Sequence, residues 1–75
     1  MITLYIHPES CPLCKEALKH IPKGTEVVNI DTVDGMATFC DNGGGTTLPL
    51  LIAGDIHYTG RDALVELLLR KGTLS

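Results

Sequence analysis

The stretch SCPLC at residues 10–14 lies between two apolar segments, and this position indicates the fold. Before it, the three aliphatic residues of ITLYI at residues 2–6 occupy alternate positions, which predicts a half-buried β-strand. Proline favours the first position of a helix, so Pro12 predicts a helix that begins within the stretch. After it, VVNI at residues 27–30 predicts a second strand. A strand, a helix and a strand in this order predict a βαβ unit with two parallel strands.

Apolar residues at helical spacing predict two amphipathic helices in the first half of the chain. The first helix ends before Pro22, and its apolar face consists of Cys14, Ala17, Leu18 and Ile21. Residues 31–46 are less regular, because Gly35 weakens a helix there and Asn42-Gly43 would cap it. The apolar face of this second helix consists of Val33, Met36, Ala37 and Cys40. On that face Cys40 is expected to be a small buried hydrophobic residue.

The last part of the chain predicts a hairpin followed by a helix. Two apolar runs, residues 48–53 and 56–59, are separated by Gly54-Asp55, which is typical of a two-residue turn. A closing helix is predicted over residues 61–71, with Gly72 as its stop. Its broad apolar face consists of Leu64, Val65, Leu67, Leu68 and Leu69, with Leu67, Leu68 and Leu69 expected in the core. The chain is therefore predicted to be an α/β protein, β-α-β-α-β-β-α, with a mixed four-stranded sheet and helices packed on it.

Length and composition narrow the classes of protein that this chain can represent. Its 75 residues suit one domain, 1–75, and 44% are hydrophobic and 20% charged, as in globular proteins. The net charge of −3 argues against a nucleic-acid partner. No apolar run is long enough for a membrane span and no signal peptide is visible. Three cysteines are too few for a disulfide scaffold, so a cytoplasmic location is expected.

The chemistry of the chain is concentrated at Cys11 and Cys14. Two cysteines one helical turn apart can form a disulfide with little movement of the backbone. The start of a helix stabilises an anion, which favours a thiolate at Cys11 and makes it the attacking sulfur. Cys14 lies one turn inside the helix, is expected to be more buried, and would be the resolving thiol. Lys15 would add a positive charge beside Cys11 or simply be a solvated helix residue.

Other readings of the same residues remain open. A Cys-x-x-Cys pattern also occurs in metal sites, but a zinc site needs four ligands. The remaining candidates, which make no second pair, are His7, His20, Cys40 and His57. His7 follows the first strand, where it could act as a base or be merely exposed. The glycines at residues 43–45 predict a flexible loop, since no Gly-Lys-Ser/Thr follows them.

Three segments together resemble the glutaredoxins. They are SCPLC at residues 10–14, TLP at residues 47–49 and TGRDAL at residues 59–64, which are similar to the family's CPxC site, its TVP segment and its GGxDDL segment. The resemblance covers essentially the whole chain in order. It implies a minimal thioredoxin fold with helices on both faces of the sheet, reversible thiol–disulfide exchange, a cis peptide bond at Pro49, and no tightly bound cofactor. Glutathione would be the reductant.

The resemblance also assigns roles residue by residue. Leu48 would offer its backbone to an extended glutathione or peptide, while Gly60 and Arg61 would present N–H groups to the γ-glutamyl carboxylate. Asp62 would accept a hydrogen bond from the amine of glutathione, or be a plain helix-capping acid. The remaining site residues that the resemblance implies are Pro12, Leu13, Thr47 and Pro49.

Three departures from the glutaredoxin pattern keep alternatives open. Leu13 stands where the family often has an aromatic residue, Thr59 replaces a glycine and Ala63 replaces an aspartate. An alternative is a glutaredoxin-like redoxin that takes electrons from thioredoxin reductase and passes them to ribonucleotide reductase. Another is a non-enzymatic module that senses redox state or carries a metal or iron–sulfur cluster through Cys11. The expected partners are glutathione and disulfide-containing proteins, and a monomer is favoured, although the apolar face of the last helix would also suit a dimer.

Overall fold

The computed structural model describes residues 2–7, 9, 11–45 and 47–74, with side chains up to residue 70. Seven elements follow one another along the chain: β1 (Ile2–Ile6), α1 (Pro12–Leu18), β2 (Thr25–Asn29), α2 (Val33–Asp41), β3 (Leu50–Ala53), β4 (Ile56–Thr59) and α3 (Arg61–Leu74). Ser10, part of the predicted helix start, lies outside the described residues. Of the helices in the described part of the chain, none is both long and apolar enough to cross a membrane. The predicted order of elements is confirmed.

The four strands form one mixed sheet in the order β2-β1-β3-β4. Strand β1 pairs in parallel with β2, as the βαβ pattern predicts, and antiparallel with β3. Strands β3 and β4 form the predicted hairpin, whose turn contains Gly54 at φ +64, a conformation that glycine adopts at little cost. The sheet therefore places the carboxyl ends of β1 and β2 side by side at one edge, where the dithiol segment begins.

Helices cover both faces of the sheet and create two separate cores. On one face, α1 and α3 pack against the sheet around Leu4, Ile6, Cys14, Ala17, Leu51, Ala63 and Leu67. On the other face, α2 covers a smaller cluster of Tyr5, Ile30, Phe39 and Leu50. Because β1 is central, Tyr5 is buried as well as Leu4. The prediction of a half-buried first strand is therefore wrong, since both of its faces are covered.

Helix α2 presents a different face to the sheet from the one that its apolar stripe predicts. Its buried residues are Gly35 and Phe39, whereas Cys40 is exposed and Val33 is 87% exposed. The prediction that Cys40 is buried is wrong. Gly35 lets the helix backbone approach β2 closely, because a Cβ there would collide with the carbonyl oxygen of Asn29. This close approach, together with the large Phe39 side chain, selects the face.

Helices α1 and α3 end at residues other than those predicted, and α3 buries fewer leucines than expected. Helix α1 ends at Leu18, earlier than the sequence predicts. Helix α3 continues to Leu74, so Gly72 does not stop it, because one glycine weakens a helix by only about 1 kcal/mol. Leu67 is buried, but Leu68 and Leu69 are exposed, which corrects their expected place in the core. A single helix face is too narrow to bury three consecutive residues.

Candidate dithiol active site

Cys11 forms the N-cap of helix α1 in an extended backbone conformation. Its Sγ accepts a hydrogen bond from the backbone N–H of Cys14 at 3.2 Å. Its carbonyl oxygen accepts further bonds from the N–H groups of Cys14 and Lys15 at 3.1 and 3.2 Å. Pro12 occupies the first helical position, where the N–H that it lacks is not needed. The cap therefore places the Cys11 sulfur at the start of α1, in contact with a backbone N–H group.

Cys14 lies one turn further along and is fully buried in the core beneath α1. Burial, and next a hydrogen bond with the Cys11 side chain, raises the pKa of the Cys14 thiol to about 12. The backbone N–H of His7, 3.5 Å from the Cys14 sulfur, acts in the opposite direction and lowers it. Cys14 is therefore a protonated, sheltered thiol at neutral pH.

The two sulfurs differ in accessibility in the sense that the sequence predicts. Cys11 is half-buried, Cys14 is buried, and both are free thiols. The contact between the Cys14 N–H and the Cys11 sulfur holds the two residues within one helical turn. This arrangement is a reduced dithiol with one accessible and one sheltered sulfur.

A side-chain contact next to the dithiol involves a residue that sequence reasoning missed. His7 Nε2 lies 3.6 Å from Oδ1 of Asp31, and the His7 side chain is 26% exposed. His7 follows β1 and Asp31 follows the end of β2, so the parallel pairing of these strands brings them together. The predicted parallel pairing of the first two strands could have indicated that Asp31 lies near His7.

The loop at residues 47–49 precedes β3, which runs antiparallel to β1 and so begins at the carboxyl end of β1. The Leu48–Pro49 peptide bond is cis, as the resemblance implies, and Pro49 is fully buried. The Gly60 N–H donates to the Pro49 carbonyl at 2.9 Å. Gly60 has φ +59, and a Cβ at this position would lie 3.3 Å from the methyl carbon of Thr47. The start of α3 is thereby joined to the loop at residues 47–49.

The remaining predicted site residues lie at the surface of the same region. Leu48 and Cys11 both pack against the core cluster that contains Cys14 and Ala63, which links the loop to the dithiol. Leu13 is half-buried, and the exposed residues are Pro12, Lys15, Arg61 and Asp62. Across residues 2–7, 9, 11–45 and 47–74, no group of three His, Cys, Asp or Glu side chains could hold a metal ion.

One solved structure is similar to this chain over most of its length. It is NrdH-redoxin from Escherichia coli, a glutaredoxin-like protein with a thioredoxin-like activity profile. The sequences are 31% identical, the match covers 88% of this chain and 92% of that chain, and the TM-score is 0.59. The chain belongs to the glutaredoxin-like redoxins. No protein-family model and no curated protein sequence matches it.

Membership of this family establishes the general activity. The redoxin has a thioredoxin-like fold and is a thiol–disulfide oxidoreductase. The resemblance to glutaredoxins that the sequence shows, carried by residues 10–14, 47–49 and 59–64, is confirmed at the level of the family.

Proposed function

We propose that the redoxin reduces disulfides through the dithiol of Cys11 and Cys14, with Cys11 as the nucleophile. The observation that supports this assignment is the difference between the two sulfurs. Cys11 is accessible and receives an N–H hydrogen bond, whereas Cys14 is buried with a pKa raised to about 12. Only a thiolate attacks a disulfide at a useful rate, and only an accessible one can reach a protein substrate.

The reaction then has two steps. The Cys11 thiolate attacks one sulfur of the substrate disulfide, so a mixed disulfide forms and the first substrate thiol leaves. Cys14 next attacks the Cys11 sulfur, the bond to the substrate breaks, and the second substrate thiol leaves. Two electrons pass from the dithiol to the substrate, and Cys11 and Cys14 become a disulfide.

Glutathione is one candidate for the reductant that restores the dithiol. The groove that would hold it consists of the Leu48 backbone, the N–H groups of Gly60 and Arg61, and the Asp62 carboxylate. The hydrogen bond from Gly60 to Pro49 supports this groove, because it ties the start of α3 to the loop that carries Leu48. Helix N-termini and exposed strand-like backbone are suited to a carboxylate and an extended peptide.

Thioredoxin reductase is the second candidate, and the comparison favours it. The similar structure, NrdH-redoxin, has a thioredoxin-like activity profile. In this chain the proposed electron acceptors are disulfide-containing proteins, with ribonucleotide reductase as the acceptor that the redoxin alternative implies. The proposed compartment is the cytoplasm, where thiols are kept reduced.

A donor assay tests the proposal. The oxidised redoxin is supplied either with glutathione, glutathione reductase and NADPH or with thioredoxin reductase and NADPH, and reduction of a protein disulfide is followed by NADPH consumption. We expect turnover with at least one donor, and none with the Cys11→Ser variant. Turnover by Cys11→Ser at the wild-type rate would refute the assignment of the nucleophile. The donor that gives the higher kcat/KM identifies the reductant.

A further inference from the structure

The second step of the proposed reaction needs Cys14 as a thiolate, although its surroundings oppose ionisation. The side chain is fully buried among apolar residues of α1, β1, β3 and α3. The groups that act on its ionisation are the Cys11 side chain, which disfavours the thiolate, and the His7 backbone N–H, which favours it. His7 therefore provides the stabilising contact that the structure places at this sulfur, at 3.5 Å.

The position of this N–H depends on what holds His7 at the end of β1. Residue 7 is beyond the last paired residue of the strand, since the β1–β2 register ends at Ile6 and Asn29. Past that point, the His7 imidazole lies beside the Asp31 carboxylate, with 3.6 Å between Nε2 and Oδ1. The Ile30 N–H bonds to the Ile6 carbonyl at 2.9 Å, which keeps the segment that carries Asp31 beside β1.

We propose that His7 is a positioning residue for the resolving step, in which its imidazole, anchored by Asp31, fixes the backbone N–H that stabilises the Cys14 thiolate. The inference rests on the proposed roles of Cys11 and Cys14. The anchor would act on the second step, because the Cys11 sulfur accepts its hydrogen bond from the Cys14 N–H, whereas the His7 N–H points at the Cys14 sulfur.

The Cys14 thiol loses its proton, and its sulfur attacks the Cys11 sulfur of the mixed disulfide. The Cys11–Cys14 bond forms while the bond from Cys11 to the substrate sulfur breaks. The electron pair of the broken bond leaves with the substrate thiolate, which takes up a proton equivalent to the one that Cys14 lost. The His7 N–H stabilises the negative charge on Cys14 and is not consumed.

The test measures the two steps separately in full-length protein. Cys11 is converted to a mixed disulfide with a chromophoric thiol, and release of that thiol reports resolution by Cys14 across a range of pH. Attack by Cys11 is measured in a Cys14→Ser background with a glutathione mixed disulfide as substrate. The variants are His7→Ala, His7→Gln and Asp31→Ala, and the control is His20→Ala, which removes a histidine bound to Glu16 on the far end of α1.

We expect resolution in His7→Ala to slow about tenfold, the loss expected when one hydrogen bond to a charged group is weakened. The pH dependence of the resolution rate should move to higher pH, because a higher pH is needed to ionise the same fraction of Cys14. Asp31→Ala should slow resolution to the same extent. The double variant His7→Ala/Asp31→Ala should be no slower than either single variant. His7→Gln, whose amide can still reach Asp31, should recover most of the rate. Attack by Cys11 should be unchanged.

Two outcomes overturn the inference while leaving the proposed function intact. Resolution by His7→Ala at the rate of wild type and His20→Ala would show that the anchor has no role. Equal slowing of attack and resolution, with a lowered melting temperature, would show that His7 is merely structural. Failure of wild type to release the chromophoric thiol at all would instead refute the resolving role of Cys14.

Discussion

At the scale of single residues, the proposed chemistry depends on the different surroundings of two cysteines that lie one helical turn apart. Cys11 is placed at the start of α1, where its sulfur accepts a hydrogen bond from an N–H group and is only half-buried. Cys14 is turned into the core, where the charged form of a thiol loses hydration. The two sulfurs differ in burial, and their described hydrogen bonds involve backbone N–H groups rather than charged side chains.

Serine substitutions separate the two roles. Cys11→Ser should abolish exchange with every substrate, because a buried Cys14 cannot reach an external disulfide. Cys14→Ser should keep partial exchange with glutathione mixed disulfides, since a second glutathione can replace the resolving thiol. Cys40→Ala is the matched control and should retain full activity, because Cys40 is exposed on α2, on the opposite face of the sheet. An inactive Cys14→Ser beside an active Cys11→Ser would reverse the assignment.

The raised pKa of Cys14 predicts how stability depends on pH. In the unfolded chain a cysteine ionises near pH 8.5, whereas the folded pKa is about 12. The folded state therefore holds its proton longer, so this contribution to stability is complete below about pH 8.5 and is lost as pH rises toward 12. Urea unfolding of the reduced protein should show a slope up to about −1.4 kcal/mol per pH unit in this range that Cys14→Ala lacks. Identical slopes would contradict the assigned pKa.

Asp62 tests the glutathione groove. If its carboxylate binds the amine of glutathione, Asp62→Ala should raise the glutathione concentration for half-maximal rate at least about tenfold, as loss of one charge-assisted hydrogen bond implies. Asp34→Ala is the control, because Asp34 is also an exposed acid in the first turn of a helix, but on α2. No change with Asp62→Ala, together with efficient turnover by thioredoxin reductase, would favour the second donor.

At the scale of elements, α2 shows how packing overrides an apolar pattern. The aliphatic and sulfur-containing residues of this helix form a stripe, yet a glycine and an aromatic residue one turn apart face the sheet. The ring of Phe39 lies against Tyr5 with 5.6 Å between ring centres. Gly35 has no side chain and so contributes nothing to a hydrophobic stripe, although its small size is what brings the helix onto β2.

Substitution of Gly35 tests that close approach. Alanine normally improves a helix by about 1 kcal/mol relative to glycine, but here its Cβ would collide with the Asn29 carbonyl oxygen. We expect Gly35→Ala to lower the free energy of unfolding by about 1–3 kcal/mol, as for other overpacked sites. Gly45→Ala, where an added Cβ meets nothing within 4 Å, is the control and should change stability by less than about 0.5 kcal/mol. A stabilised Gly35→Ala would contradict the packing described for α2.

At the scale of the whole molecule, local patterns predict the order of elements well and their environment less well. Strand alternation, Pro12 and the Gly54-Asp55 turn are local signals, and each is confirmed. Burial of Tyr5 depends on the position of β1 between two neighbours, which only the assembled sheet determines. The exposure of Cys40 and the pairing of His7 with Asp31 depend likewise on contacts between elements. The cis bond at Pro49 followed from family resemblance alone.

The shelter around Cys14 is contributed by both ends of the chain, and this matters during biosynthesis. Its neighbours include Leu4 from the first strand but also Leu51, Ala63 and Leu67 from the last third. On the ribosome the amino-terminal βαβ segment emerges first, before the segments that close over this sulfur exist. Until residues 50–67 have emerged, the Cys14 thiol of the nascent polypeptide lacks part of its apolar cover, so its protection is completed only when the last third of the chain has left the ribosome.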